Sequence, residues 1–484
     1  MTRSISELLT ALRREDLLAA EPGSLPDPAG LTDDSRTVAP GMLYAAVRGS
    51  QTDGHRFVAD AVRRGAGVVM VEASQDVRVP QIVVRDGRRA ALAAARAWYG
   101  DPGAALRLIG VTGTNGKTTT TGLLRHLLNG DAAAASIGTL GAFDGRGDVV
   151  PSTAGSLTTP GAIDLQATLA ALRDRGTTYV VMETSSHSLD QGRLDGLTFA
   201  AAVYTNLTRD HLDYHATMDR YRAAKLRLSA YLELSGLEVV NLDDPAWIAM
   251  PPREPRVTFG VGAGADVRAE DVRLGAGGSR FRLAGRYGEA DVSLPLLGDF
   301  NVANALAAAA CALGLGNPLA DVVRRLDASP QVPGRMERIS EQPCVVLRDY
   351  AHTPDALERA LATLRPLTAG RVIVVFGCGG DRDRGKRPIM GRIAAKGADL
   401  AIVTSDNPRT EDPDAIIDDV EAGMDSVAHV RIADRLAAIH AALAEARPDD
   451  TILLAGKGHE TYQVLGTVKV PFDEREIVRA ATSA

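Results

Sequence analysis

Gly113, Thr114, Asn115, Gly116, Lys117, Thr118 and Thr119 stand between an apolar run at 108–112 and a helix-compatible stretch that opens at Lys117. A buried strand, a glycine-rich turn and a helix N-terminus in that order make a cradle for anions. Glycines let backbone N–H groups converge on phosphate oxygens, and the helix dipole adds partial positive charge. Lys117 can reach the outer phosphates and the Thr118 hydroxyl can ligate Mg²⁺. The position five before Gly116 is Val111, so the loop departs from the G-x-x-x-x-G-K-[ST] spacing of a generic P-loop NTPase. Nucleotide binding is the expectation. Other residues of the right type are Glu183, which closes an apolar run at 179–182, and His211, which lies between Asp210 and Asp213 after a run at 200–204. Arg382 sits in a charged, glycine-bearing segment at 379–387.

Such groups need rigid elements behind them. Runs at 108–112, 179–182, 200–204 and 238–241 read as strands, the first three followed by helical stretches. That alternation predicts a mostly parallel sheet covered on both faces. It puts Glu183 and His211 at the carboxyl edge, where ligands of open α/β sheets bind. Residues 1–103 hold short strand-like runs at 68–71 and 82–84 and a helical stretch at 90–99, a small α/β domain. Between 256 and 297 helical signals give way to glycine-punctuated strands such as 279–283, an antiparallel ribbon, and helix returns at 301–313. Pro330, Pro333 and Gly334 break regular structure and place a boundary there. Beyond it, strand-like runs at 345–347, 372–376, 400–403 and 451–455 alternate with helical stretches at 355–364 and 433–446, a Rossmann-like, doubly wound domain. The expected fold is α/β in three domains, 1–103, 104–334 and 335–484.

Composition narrows the partners. The 484 residues are 45% hydrophobic, 24% charged and 4% aromatic, the usage of a soluble α/β globule. Lys and Arg number 54 against 61 Asp and Glu, a net charge of −7, which gives no overall basic field for nucleic acid or an anionic membrane. Cys311, Cys344 and Cys378 lie far apart without a C-x-x-C pair, so neither a disulfide framework nor a zinc site is read. Glu7, Arg13, Arg14, Glu15 and Asp16 interrupt the first apolar positions, and no run of 18 apolar residues occurs. A cytoplasmic protein without membrane insertion is expected.

The 113–119 loop resembles the form found in the ATP-dependent Mur ligases of peptidoglycan synthesis. Similar matches follow in order: Met182 to His187, Thr205 to Asp213, Gly298 to Ala305 and Val332 to Glu337. Asp349 to Pro354 and Ala455 to Glu460 resemble in particular the MurE type, which joins a third amino acid to UDP-N-acetylmuramoyl-L-alanyl-D-glutamate. The resemblance implies a UDP-binding, an ATPase and an amino-acid domain, with ATP as co-substrate and an acyl phosphate on the way to the amide. It implies that Thr118, Glu183 and His211 bind or support two Mg²⁺ ions, and that Lys225 carries a carbamate as a further metal ligand. A neutral amine adds CO₂ and a nearby dication stabilises the anion; otherwise Lys225 is a solvated helix lysine. Asn301 resembles the adenine contact, Arg335 a phosphate contact and Asp349 the ribose contact. Ser35 and the turn Ser50, Gln51, Thr52 resemble UDP contacts, while Thr158, Thr159, Ser185, Gln191 and Arg193 resemble positions that hold the muramoyl dipeptide. Leu157 stands where several relatives have Asn.

For the third amino acid, Asp406, Asn407, Pro408 and Arg409 take the form seen in diaminopimelate-adding relatives, with Arg382, Gly456 and Glu460 completing the set. Diaminopimelate differs from lysine by a distal carboxylate, which a guanidinium binds bidentately. The resemblance thus implies UDP-N-acetylmuramoyl-dipeptide, diaminopimelate and ATP as small-molecule partners of a monomer. A lysine-adding sister, a folylpolyglutamate-synthase-like enzyme and a P-loop phosphotransferase are the alternatives.

Overall fold

Leu108, Ile109 and Val111 are fully buried, and their strand, Arg107–Thr112, has sheet neighbours on both sides. A computed structural model describes residues 4–49, 52–131, 133–152, 157–424 and 428–482. The chain divides into two compact units, one of residues 1–259 with 307–317 and one of 260–306 with 318–484.

In the first unit the strands run in the order Arg256–Gly260, Leu232–Asn241, Phe199–Tyr204, Arg107–Thr112, Tyr179–Glu183, Ala134–Gly138, Gly141–Phe143 and Val149–Val150. The pairs from Arg256–Gly260 to Ala134–Gly138 are parallel and the last two are antiparallel. From Arg107–Thr112 the chain passes through helix Lys117–Leu128 to Ala134–Gly138 and returns through Ala162–Asp174 to Tyr179–Glu183. It then crosses to Phe199–Tyr204 on the other side. This reversal of strand order opens a crevice at the carboxyl ends of the three strands, where open α/β sheets bind ligands.

A smaller parallel sheet, Leu31–Thr32, Leu43–Ala45, Val68–Val71 and Gln81–Val83, precedes it. Alternation along Val68–Val71 sends Val68 and Met70 into a cluster with Leu8, Leu12, Ala94 and Trp98, and Val69 and Val71 into one with Tyr44 and Val58. Helix Gly87–Tyr99 starts three residues before the predicted 90, because the Asp86 carboxylate accepts from the N–H groups of Arg88 and Arg89. It ends on Gly100 in the left-handed conformation.

The second unit holds an antiparallel ribbon, Val267–Gly275, Gly278–Gly285 and Ala290–Leu294. Its larger sheet runs Glu337–Ser340, Val345–Asp349, Thr451–Ala455, Val372–Phe376, Leu400–Val403 and Val430–Arg431, parallel except for the first strand. Val372, Val374 and Phe376 pack on one face with Leu357 and Met390, whereas Ile373 and Val375 pack on the other with Ile439 and Val478. Caps set the helix starts: Thr353 accepts from Ala356 N–H ahead of Pro354 at the first turn, and Asp434 accepts from Ala437 N–H. The latter fixes Arg435–Glu445, inside the predicted 433–446.

Arg435 and Glu474 form a fully buried ion pair, Nε to Oε1 at 2.8 Å, and Arg435 Nη2 also donates to Ala455 O at 2.9 Å. It pins helix Glu474–Thr482 to the end of Thr451–Ala455. Removing one partner leaves a buried charge uncompensated, so Arg435→Met should destabilise this unit by about 3 kcal/mol or more in urea unfolding. The double variant Arg435→Met/Glu474→Leu should recover most of that loss. An Arg435→Met protein as stable as wild type would contradict the role given to the pair.

Candidate active site

In the crevice of the first unit the 113–119 loop leaves the strand with Gly113 at φ +148° and reaches its helix with Gly116 at φ +82°. A Cβ on Gly113 would overlap Thr205 Oγ1, so only glycine fits there. The loop is tied to the segment after Phe199–Tyr204. Thr114 N–H donates to Asn206 O, Asn115 N–H to Asn206 Oδ1, and Thr205 Oγ1 to Asn115 O. Lys117 Nζ folds back onto Gly113 O at 3.0 Å and Thr114 O at 2.8 Å.

Lys225, on helix Met218–Leu226, is buried and donates to the same Gly113 oxygen at 2.6 Å, its ammonium 4.4 Å from the Tyr221 ring centre. Burial first, and then the Lys117 charge, push the Lys225 amine well below the ordinary lysine range. Glu183 ends its strand 1% exposed, and its carboxylate accepts from Thr118 Oγ1 at 3.2 Å and from both the N–H and the hydroxyl of Thr139. His211 begins the short helix Leu212–His215 at φ +53°, with Nε2 3.4 Å from Asp210 Oδ2. Its ring lies edge-on to His187, 4.8 Å between centres. Burial, with His211 and His215 nearby, lowers His187 to about 4. His187, which closes the 182–187 segment, and Tyr214 are tilted together at 4.3 Å, and the sequence assigns neither a role.

Thr159, Ser185, Gln191 and Arg193 come together beside this crevice. Thr159 Oγ1 donates to Glu183 O and accepts from Ser185 N–H, and Ser185 caps helix Ser186–Asp190. Arg193 donates twice to Gln191 Oε1 and once to Thr159 O. Thr158 Oγ1 accepts from Thr139 Oγ1 at 3.3 Å, and Leu157 is exposed. Ser35 is buried in a helical turn capped by Asp34 and Thr52 is exposed, while Ser50 and Gln51 lie outside the described residues.

The second unit carries the other residues. Asn301 is buried and donates to Leu297 O. Asp349 accepts from Met336 N–H at 2.7 Å, burial raises it to about 6, and the Arg335 guanidinium packs over the Tyr350 ring at 4.8 Å. Gly334 has φ +67°, and a Cβ there would overlap the backbone of Gly458 and His459. Asp406, Asn407, Arg409, Gly456 and Glu460 come together at the carboxyl ends of Val372–Phe376, Leu400–Val403 and Thr451–Ala455. Arg409, at φ +53°, donates to Gly380 O at 2.8 Å, Asn407 Nδ2 donates to Glu460 Oε2 at 2.9 Å, and Gly456 faces Asp406. Arg382 is exposed, bonded to Asp381 O. Its loop is fastened by Arg387, which is fully buried and holds Glu411 and Asp419; the Arg387 contact holds Glu411 down at about 2.

The Thr118 hydroxyl and Glu183 carboxylate are hard oxygen donors at the loop, which fits a Mg²⁺ carried in with phosphates. Among the described residues no cluster of three or more His, Cys, Asp or Glu side chains forms an all-protein metal cage.

The comparisons accord with this geometry. Residues 29–99 match the model of the Mur ligase family catalytic domain, 111–312 the Mur ligase middle domain, and 334–458 the Mur ligase glutamate ligase domain. A protein of Geobacillus kaustophilus (strain HTA426) named UDP-N-acetylmuramoyl-L-alanyl-D-glutamate--2,6-diaminopimelate ligase is 45% identical over 98% of this chain and 99% of its own. One of the same name from Synechococcus elongatus is 46% identical over 93% of each. A solved structure of a ligase with that name is 35% identical, with a TM-score of 0.64 over 100% of this chain and 99% of its own. With three family models matched in order and full-length relatives at such identity, the chain belongs to the Mur ligase family.

Proposed function

We propose that the protein is an ATP-dependent amide ligase that adds 2,6-diaminopimelate to UDP-N-acetylmuramoyl-L-alanyl-D-glutamate in peptidoglycan precursor synthesis. The observation that carries this reading is the loop at 113–119, whose lysine and glycines are built for phosphate at the carboxyl edge of a parallel sheet. Full-length likeness to ligases of that name supports the choice of substrates.

A carboxylate makes a poor acyl donor because oxide is a poor leaving group. Attack of a substrate carboxylate oxygen on the γ-phosphorus of ATP releases ADP and leaves an acyl phosphate. An amine then attacks the acyl carbon, loses a proton, and phosphate departs. Lys117 and the loop N–H groups offset the charge of the phosphates brought to the carboxylate. Thr118 and Glu183 are the groups that would hold Mg²⁺, which supplies charge neutralisation when bound. His211 and a carbamate on Lys225 are proposed for a second ion. The Lys225 amine is buried and driven toward its neutral form, the form that adds CO₂. Asn301, Arg335 and Asp349 are assigned to the nucleotide. Ser35, Ser50, Gln51, Thr52, Thr158, Thr159, Ser185, Gln191 and Arg193 are assigned to the UDP-substrate. Arg382, Asp406, Asn407, Arg409, Gly456 and Glu460 are assigned to diaminopimelate. The functional segments are 1–103, 104–334 and 335–484 of a cytoplasmic monomer; among the described residues no helix is long and apolar enough to cross a membrane.

The test of the whole reading is an assay of the UDP-dipeptide and ATP with a panel of amino acids, products read by mass. Diaminopimelate should be ligated and L-lysine barely used. Equal use of both would overturn the specificity, and no ligation of either would overturn the function.

Lys117→Ala should lose about 3 kcal/mol or more of transition-state stabilisation while UDP-substrate binding by calorimetry is unchanged; unaltered ADP release would refute the role of the loop. Lys225→Ala should be inactive and partly restored by formate or acetate, and a fully active variant would remove the carbamate from the mechanism. Arg409→Ala should raise KM for diaminopimelate by the equivalent of roughly 1.5–3 kcal/mol with KM for ATP nearly constant. Diaminopimelate kinetics that do not change would show that Arg409 does not read the distal carboxylate.

A further inference from the structure

Lys457, in the turn after Thr451–Ala455, is fully buried, an unusual place for an ammonium unless it is paired. Its Nζ lies 3.1 Å from Asn407 Oδ1, 3.3 Å from Glu460 Oε2 and 3.5 Å from Asp406 Oδ1. Those are three of the groups assigned above to diaminopimelate, and the lysine stands on their interior side. Asn407 Oδ1 also accepts from Val464 N–H at 2.9 Å, so two donors fix the amide oxygen and its nitrogen must face Glu460. Glu460 Oε2 is taken by both Asn407 Nδ2 and Lys457, whereas Oε1 makes no hydrogen bond among the described residues. Asp406 Oδ1 is buried with no hydrogen-bond partner and has the Lys457 charge 3.5 Å away.

We infer that Lys457 is a positioning residue for the amino-acid substrate. With Val464 N–H it holds the Asn407 amide in one orientation, and it holds one oxygen of Glu460, so that the other is presented to the distal ammonium of the diamino acid. The inference rests on the assignment of diaminopimelate to this site. A neutral side chain at 457 removes one of the two donors that hold the Asn407 oxygen and leaves the Asp406 and Glu460 carboxylates without their shared counter-charge. The substrate's distal amine then meets a looser and less complementary pair.

The test uses the full chain with Lys457→Met, which removes charge and donors, and Lys457→Gln, which keeps amide donors. Kinetics are measured with diaminopimelate and with 2-aminopimelate, which lacks the distal amine. Lys457→Met should raise KM for diaminopimelate about tenfold or more, leave KM for ATP and the UDP-substrate within about twofold, and keep kcat within about threefold. The preference for diaminopimelate over 2-aminopimelate should fall by about tenfold, with Lys457→Gln between Met and wild type. An unchanged preference, or an equal loss of kcat with every amino acid, would overturn the inference, as would failure of both variants to fold, which would make the lysine structural. Wild-type protein that ligates no diaminopimelate would overturn the underlying assignment and this inference with it. Normal wild-type turnover beside unaltered Lys457→Met kinetics would overturn the inference alone.

Discussion

The carbonyl oxygen of Gly113 accepts from two lysine nitrogens, Lys117 Nζ and Lys225 Nζ, at the carboxyl end of an interior strand. Much of the first unit answers to that meeting. Gly113 must be glycine because Thr205 occupies the space of a side chain, and Thr205 is there because Phe199–Tyr204 is the next strand in the sheet. Helix Met218–Leu226 must approach closely enough for Lys225 to reach the loop from within the core. Two like charges directed at one oxygen repel each other. Burial, and then the Lys117 charge, push the Lys225 amine well below the ordinary lysine range. The loop therefore gathers lysine nitrogens and backbone N–H groups at a helix N-terminus, and phosphate is the chemistry that matches it.

The second unit shows the opposite arrangement, with carboxylates gathered around fewer cations. Arg387 is shared by Glu411 and Asp419, and Lys457 by Asp406, Glu460 and the Asn407 oxygen. Each cation is fully buried, while Glu411, Asp419 and Glu460 are partly open and Asp406 is buried. The open side of Glu460 suits a ligand that brings its own positive charge, as the distal ammonium of a diamino acid does.

Much of this was legible in the chain. Val372–Phe376 and residues 452–455 are apolar throughout because both faces are covered, so their strands read directly from composition. The loop at 113–119 announced itself through glycine, lysine and threonine in strand–helix context. Glu337–Ser340 and the hairpin Tyr462–Leu465 with Val468–Pro471 did not, because edge and hairpin strands with exposed residues lack an apolar run. Leu232–Asn241 extends six residues before the 238 read from the sequence, where Glu233, Leu234 and Ser235 are exposed and give no burial pattern. Candidate site residues stand out by motif, but the partners that hold them do not. Lys457 and Arg387 look like surface charges in one dimension, and only the fold buries them.

The central claim is that the loop transfers the γ-phosphoryl group of ATP to a substrate carboxylate. Its most direct test is the fate of that carboxylate's oxygen. The UDP-dipeptide is labelled with ¹⁸O in its reacting carboxyl group, ligation is run with ATP and diaminopimelate, and the inorganic phosphate is analysed by mass. Each phosphate should carry one labelled oxygen, the atom that left with it when the amine attacked. Unlabelled phosphate formed alongside the amide would contradict the account.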